Sequence, residues 1–242
     1  VFVQARKGEK WKEIEIKDYM DSMKVALSWI ENEALSQGVT VNLSAVAHPK
    51  VIKKGFPGKT AKGALELTHS KAGFAKFNKH YDNVSKLAAS GVVEEEKLKP
   101  FVKKIKSKER FIAKLRNAYQ VESVVLIFVH KAELLDNVFI TMNSLTNKDV
   151  EFAVTTFGAP ALIAYQVLEL FGAAPIIYSE SSKKELPSYT YVNNNFPKDI
   201  MANLGKSIQS LNIGEYTGYL VGWNSVLKEE YKILYPKRKV IH

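Results

Sequence analysis

The stretch TTFGAPALIAYQVLELFGAAPIIY, residues 155–178, decides the fold because it places a long apolar helix directly behind a strand. The helix predicted over Ala159–Phe171 has apolar residues on almost every side, and Gly172 supplies its stop. Such a helix is buried, so the rest of the chain is expected to pack around it. Its polar-capable residues are Tyr165, Gln166 and Glu169.

Three β-prone segments precede this helix and predict a sheet. The first is apolar enough to be a central strand, and turn-forming residues such as Asp136 and Asn147 separate the segments. The three segments are Val121–Val129, Asn137–Asn143 and Val150–Thr155.

The opening of the chain predicts a strand, a helix and a second strand. Val1–Gln4 is β-prone, and apolar residues recur at helical spacing from Ile16 to Ala34 before Gly38, where a left-handed residue is expected to end the helix. Val39–Val46 alternates apolar and polar residues, as a half-buried strand does. Such a unit favours a right-handed parallel crossover.

These elements together predict a single α/β (α+β) domain spanning residues 1–242. Its mixed, twisted sheet is expected to pack on the N-terminal helix and on the buried helix of residues 159–171. One compositional break, at about residues 50–118, is interpreted as a basic, partly helical insertion. Within it, Lys50–Ser90 is punctuated by glycines and predicts loop with short helical pieces, and an amphipathic helix is expected after Pro100.

Much of the net charge of +10 lies in that insertion, because Lys97–Arg116 contains nine basic residues and one acidic residue. Such a helix could bind a polyanion, whether nucleic acid, an acidic protein or an anionic membrane surface. A simple solvated face is the alternative. The candidate binding residues are Lys103, Lys104, Lys106, Lys108, Arg110, Lys114 and Arg116.

Composition excludes several chemistries. The chain has no cysteine, so disulfides, thiolate nucleophiles and cysteine-ligated metals are ruled out, and no G-x-S-x-G motif frames a serine nucleophile. The histidines are scattered, and His130 is expected to be solvated or capped. No segment approaches the ~20 apolar residues of a membrane span. A cytoplasmic location is expected, with a removed leader left open.

Residues 155–178 resemble a bacterial zincin-type peptidase family of metzincin-like layout, in which a strand leads into a helix bearing H-E-x-x-H-x-x-G-x-x-D. Alignment on the run Leu170–Ala173 retains only Gly172 of that motif. Tyr165 then stands at the first His, Gln166 at the Glu base, Glu169 at the second His and Pro175 at the third ligand. Farther on, Phe196–Met201 (FPKDIM) resembles the methionine turn of the same group, with Met201 as its methionine.

The replacements predict that the chemistry of the family is lost. In an intact site two His residues one turn apart bind one zinc, and the Glu activates the bound water. Tyr165 could ligate only as a phenolate, Gln166 cannot act as a base, and Pro175 offers no side-chain donor. No zinc and no other cofactor are therefore expected.

Other interpretations of these positions stay open. Tyr165 and Glu169 could satisfy each other by a hydrogen bond at i, i+4, could line a repurposed polar pocket with Gln166, or could hold a metal other than zinc. Met201 could equally be plain core packing.

The resemblance implies a catalytically inactive metallopeptidase-like protein that serves as a binding, regulatory or structural module. In such folds an edge strand beside the cleft holds an extended peptide, and Asn137–Asn143 is the candidate strand. A protein or peptide partner is expected, and the oligomeric state is open. The alternative function is a polyanion-binding accessory protein that uses the basic helix, and an enzyme of unrelated chemistry has no positive support.

Overall fold

The protein is built around a five-stranded mixed sheet with helices on both faces. The computed structural model describes residues 1–4, 10–90, 107–131, 138–142, 150–156, 158–176 and 189–234. The strands are β1 (Phe2–Gln4), β2 (Ile52–Lys53), β3 (Leu126–His130), β4 (Phe139–Met142) and β5 (Phe152–Thr155). The α-helices are α1 (Glu13–Ser36), α2 (Ala61–Leu67), α3 (Lys71–Ala89), α4 (Ser107–Tyr119), α5 (Pro160–Leu170), α6 (Tyr189–Asn195) and α7 (Glu215–Leu220), and two short 3-10 turns are Ile208–Ser210 and Glu229–Leu234.

The order of the strands across the sheet is β2-β1-β3-β5-β4. β1 pairs in parallel with both β2 and β3, and β3 pairs in parallel with β5. β4 pairs antiparallel with β5 and forms one edge. The prediction of a mixed α/β architecture is therefore confirmed, and the apolar segment of residues 121–129 does supply the central strand β3.

Each face of the sheet carries its own apolar core. Helices α1 and α5 cover one face together with the C-terminal segments, whereas α2, α3 and α4 cover the other. Strand β4 shows the division, because Phe139 packs in the first core while Ile140 and Met142 pack in the second. The packing of the sheet on the N-terminal helix and on α5 agrees with the prediction.

The first helix begins and ends where its sequence predicts. The Glu15 carboxylate accepts a hydrogen bond from the Lys12 backbone N–H at 2.8 Å, which satisfies a donor at the helix start. At the other end Gly38 adopts a φ of 77°, the left-handed conformation expected of a helix-terminating glycine. Buried residues such as Ile30 and Ala34 face the core.

The strand predicted over Val39–Val46 is wrong. This segment is extended and half-buried on alternate residues, but it lies outside the sheet. The Leu43 backbone N–H donates to the Glu31 carboxylate at 2.7 Å, so a side chain takes the place of a neighbouring strand. The second strand of the parallel unit is β2 (Ile52–Lys53) instead.

The prediction of loop with short helical pieces over Lys50–Ser90 is wrong in part, because the short helix α2 fits it but Lys71–Ala89 forms the continuous 19-residue helix α3. The Ser70 hydroxyl accepts a hydrogen bond from the Gly73 N–H at 3.1 Å and caps the helix. Gly73 permits close approach of the preceding chain, since a Cβ there would lie 2.4 Å from the Leu67 carbonyl oxygen. The region of residues 50–118, predicted as an insertion, supplies β2 and the helices of one whole layer.

Within the described residues, no helix combines the length and apolarity needed to cross a membrane.

Candidate functional site

Helix α5 carries three of the four positions at which the resemblance expects metal ligands or the catalytic base. Pro160 stands in its first turn, where a missing N–H costs nothing, and β5 leads into it. Tyr165, Gln166 and Glu169 are all buried, at 6%, 1% and 9% exposure. The sequence argument that this helix is buried nearly all round is confirmed.

Gln166 is turned toward the sheet. Its Nε2 donates a hydrogen bond to the Val154 carbonyl oxygen of β5 at 3.4 Å. This hydrogen bond joins the helix to the strand. An amide also has no basic lone pair with which to deprotonate water. Gln166 therefore has a structural contact where the resemblance expects a catalytic base.

Tyr165 packs beneath the edge strand. Its ring lies 5.4 Å from that of Phe139 on β4, with an interplanar angle of 50°. Burial, and secondarily the neighbouring charge of Glu169, raises the pKa of Tyr165 above its ordinary value of 10. The side chain is thus a neutral phenol at physiological pH and does not supply the phenolate that a metal would need.

Glu169 is a buried carboxyl group one helical turn farther on. Burial raises its pKa to about 7, and the nearby Thr141 side chain on β4 partly offsets the rise. Near neutral pH both the protonated and the ionised form of the group are therefore populated. Tyr165, Glu169 and Thr141 form a polar patch between α5 and the edge strand in otherwise apolar surroundings.

The turn after α5 depends on Gly172, the glycine that the sequence predicted as the stop of this helix. This glycine adopts a φ of 103°, which a side-chain-bearing residue rarely does, and a Cβ there would come within 3.2 Å of the Leu220 carbonyl oxygen. The next residue, Ala173, closes the helix end by donating to the Leu168 carbonyl oxygen at 2.9 Å. Pro175 follows on the surface and offers no ligand.

Met201 lies in the same apolar core as α5, in a turn stabilised by the buried carboxylate of Asp199. Its side chain is 3% exposed in the first core, and its carbonyl oxygen accepts a hydrogen bond from the Ile176 N–H at 3.0 Å. Asp199 accepts hydrogen bonds from the Met201 N–H at 2.8 Å, the Gly214 N–H at 3.0 Å and the Thr217 hydroxyl at 2.8 Å. Sequence reasoning missed Asp199, although it lies within the FPKDIM motif.

These residues do not fit the zinc that the resemblance implies. A phenol, an amide engaged with the sheet, one carboxyl group and a surface proline cannot complete a tetrahedral set of N, O or S donors. In the part of the chain that the structure describes, no three His, Asp or Glu side chains converge on one point.

The predicted basic binding residues do not form one solvated face. The prediction that Lys108 is a surface binding residue is wrong. Its side chain is completely buried, and its Nζ lies 3.0 Å from the Asp82 Oδ1. Arg110 and Lys114 are half-buried, and Arg116 is exposed. Lys103, Lys104 and Lys106 lie outside the described residues.

Sequence reasoning also misplaced His130, which is 2% exposed and not solvated. It ends the central strand β3, stacks on Phe56 at 4.0 Å and shares a hydrogen bond of 3.1 Å with the Tyr81 hydroxyl. Burial, and then the neighbouring His80, lowers the pKa of His130 to about 3. Only its place at the end of an apolar strand could have indicated burial.

No protein-family model, no curated protein and no solved structure matches the chain.

Proposed function

We propose that this protein is a catalytically inactive, metallopeptidase-like binding module that holds an extended peptide along β4. The observation that carries the proposal is the position of β4, which is an edge strand of the sheet that the described residues form and lies beside the polar patch of Tyr165, Glu169 and Thr141. An edge strand is a template for another extended chain. The partner is a protein or peptide segment without fixed structure of its own.

The pairing of β4 with β5 determines which backbone groups of β4 point toward β5 and which point away from it. The Thr156 N–H donates to the Val138 carbonyl oxygen at 3.0 Å, and the register pairs Ile140 with Val154 and Thr141 with Ala153. Alternation in an antiparallel pair then directs the backbone groups of Ile140 toward β5. The N–H and C=O groups of Phe139 and Thr141 point away from β5, where an added strand would bind.

The side chains of the same two residues lie toward α5. Phe139 packs on Tyr165, and Thr141 interacts with Glu169. Alternate side chains of a peptide added beside β4 would project toward this layer, where apolar rings and one titratable carboxyl group are available for recognition. A peptide with alternating apolar residues and a hydrogen-bond donor suits this surface best.

The zincin-like part of the proposal draws support from the order of elements around α5. β5 leads directly into the helix, a glycine with positive φ ends it, and a buried methionine turn lies behind it. The replaced positions Tyr165, Gln166 and Pro175 support a role without hydrolysis.

The test uses decapeptides selected from a randomised phage-displayed library and measured by isothermal titration calorimetry. Thr141→Pro removes one outward N–H and leaves the pairing with β5 intact, so it is expected to weaken binding about tenfold or more. Thr141→Val keeps that N–H while removing the hydroxyl, and it should bind within about threefold of the wild type. Equal binding by the Thr141→Pro protein would refute the site, and cleavage of the bound peptide would refute the inactive assignment.

A further inference from the structure

The two helical layers of the protein carry opposite charge. In the layer of α2, α3 and α4, the described residues 53–90 and 107–116 contain twelve basic and three acidic residues. Helix α1, on the other face of the sheet, contains six acidic and two basic residues. Among the described residues, the excess positive charge is therefore concentrated on one side of the sheet, in a layer wider than the basic segment that the sequence singled out.

Helix α3 presents this charge as a continuous face. Its lysines are exposed, whereas Phe77, Tyr81 and Val84 on the opposite side of the helix are fully buried in the second core. At 1.5 Å per residue the lysines span about 22 Å along the helix axis. They are Lys71, Lys76, Lys79 and Lys86.

These lysines are not neutralised locally. In the part of the chain that the structure describes, none of the four forms an ion pair, and Asp82, the acidic residue of α3, is paired with the buried Lys108. On α1 the situation is different, because Lys17 and Lys24 both bind Asp21. Uncompensated, aligned cations on a rigid helix attract an external polyanion.

We infer that the exposed face of α3 binds the phosphate backbone of double-stranded nucleic acid without reading its sequence. Lysine ammonium groups bind phosphates as point charges, and their counterion release gives strongly salt-dependent affinity. This inference uses different residues from the peptide site on β4 and does not depend on it.

The same face argues against single-stranded nucleic acid and an anionic bilayer. Single strands are bound largely by stacking on aromatic side chains, whereas Phe77 and Tyr81 of α3 are buried in the core and Phe74 is half-buried against it. A helix that binds a bilayer inserts its apolar face into the lipid, and here that face is already occupied by the sheet. Binding to the phosphate backbone of a duplex requires neither exposed aromatic side chains nor a free apolar face.

The experiment measures the binding of a fluorescent 20-base-pair DNA duplex by anisotropy at NaCl concentrations from 50 to 200 mM. The variant Lys76→Gln/Lys79→Gln/Lys86→Gln removes three charges from the face. The control Lys17→Gln/Lys24→Gln/Lys228→Gln removes the same net charge from exposed positions outside this layer. Circular dichroism melts establish that both variants are folded.

The wild type is expected to bind with a slope of log K against log salt of about −3 to −4, from four phosphate contacts. The α3 variant should lose about 2 to 3 units of that slope and bind about tenfold or more weakly at 100 mM NaCl, while the control keeps most of the slope. Equal loss in both variants would show that only net charge acts. An undiminished slope in the α3 variant, or binding to phosphatidylserine vesicles or single strands in preference to the duplex, would overturn the inference.

Discussion

The Nζ of Lys108 lies 3.0 Å from the Oδ1 of Asp82 although the lysine side chain has no exposure to solvent. The ammonium group also lies 4.7 Å from the centroid of the Phe152 ring on β5. This pair joins α4 to α3 over the face of the sheet, so a residue that looks like part of a solvated basic helix is a structural residue.

Lys108→Ala is expected to lower the free energy of unfolding by about 2–4 kcal/mol, because it leaves a carboxylate without its partner and removes buried methylene groups. Urea denaturation measures the loss. Arg116→Ala, on the same helix but exposed, is the control and should change stability by about 0.5 kcal/mol or less. Equal effects of the two substitutions would contradict the assigned role of Lys108.

Leu168→Ala is expected to destabilise the protein by about 2–5 kcal/mol, since Leu168 is 0% exposed on α5 and its truncation leaves a cavity. The matched control is Leu35→Ala, because Leu35 on α1 is 65% exposed. Denaturant melts of both variants decide the matter. A Leu168→Ala protein as stable as the wild type would mean that α5 is not at the centre of the core.

Gln166→Glu should restore no peptidase activity and should lower the free energy of unfolding by about 3 kcal/mol or more at pH 7, because it places an ionisable carboxyl group at a position that is 1% exposed. A base without a metal has no activated water to deprotonate. Cleavage of casein is the assay, and elemental analysis after dialysis, expected to find no stoichiometric zinc, accompanies it. One zinc per chain that is lost on replacing Glu169 or Tyr165 would overturn the inactive assignment.

The stability that Glu169 contributes should depend on pH. Burial raises its pKa from 4.5 to about 7, so the folded state binds the proton more tightly than the unfolded state does. This contribution is complete below about pH 4.5 and is lost as the pH rises through about 7. Glu169→Gln, which stays neutral, should therefore gain about 1–3 kcal/mol relative to the wild type between pH 5 and pH 8.

Because His130 and the other titratable groups are present in both the wild type and the Glu169→Gln protein, their pH-dependent contributions cancel in the difference between the two free energies of unfolding. Urea denaturation at pH 5 and pH 8 measures the difference, and a stability difference that is the same at both values would show that Glu169 titrates normally.

Asp199→Ala should lower the free energy of unfolding by about 2–4 kcal/mol, because three buried donors around the Met201 turn lose their acceptor. Thermal melts measure the effect. Asp18→Ala on α1 removes an exposed carboxylate and should be nearly neutral. A neutral Asp199→Ala would mean that the turn is held by its apolar contacts alone.

Much of the fold could be predicted from local patterns in the chain. The apolar spacing of residues 16–34 and the nearly all-apolar run of 159–171 indicated α1 and α5, and short β-prone segments indicated β3, β4 and β5. Both kinds of pattern follow from which residues need burial, which is a property of the sequence itself. The inability of Tyr165, Gln166 and Pro175 to supply two zinc ligands and a base is equally a matter of residue type.

Only the tertiary structure decided which extended segment joins the sheet and which cations face solvent. Val39–Val46 has the alternation of apolar and polar residues that a strand shows. However, the backbone N–H of Leu43 donates to the Glu31 carboxylate and not to a neighbouring strand. Lys108 has the composition of a surface residue, yet Asp82 and Phe152 enclose it. Strand pairing and the burial of charge both depend on partners distant in sequence, so no local pattern could determine them.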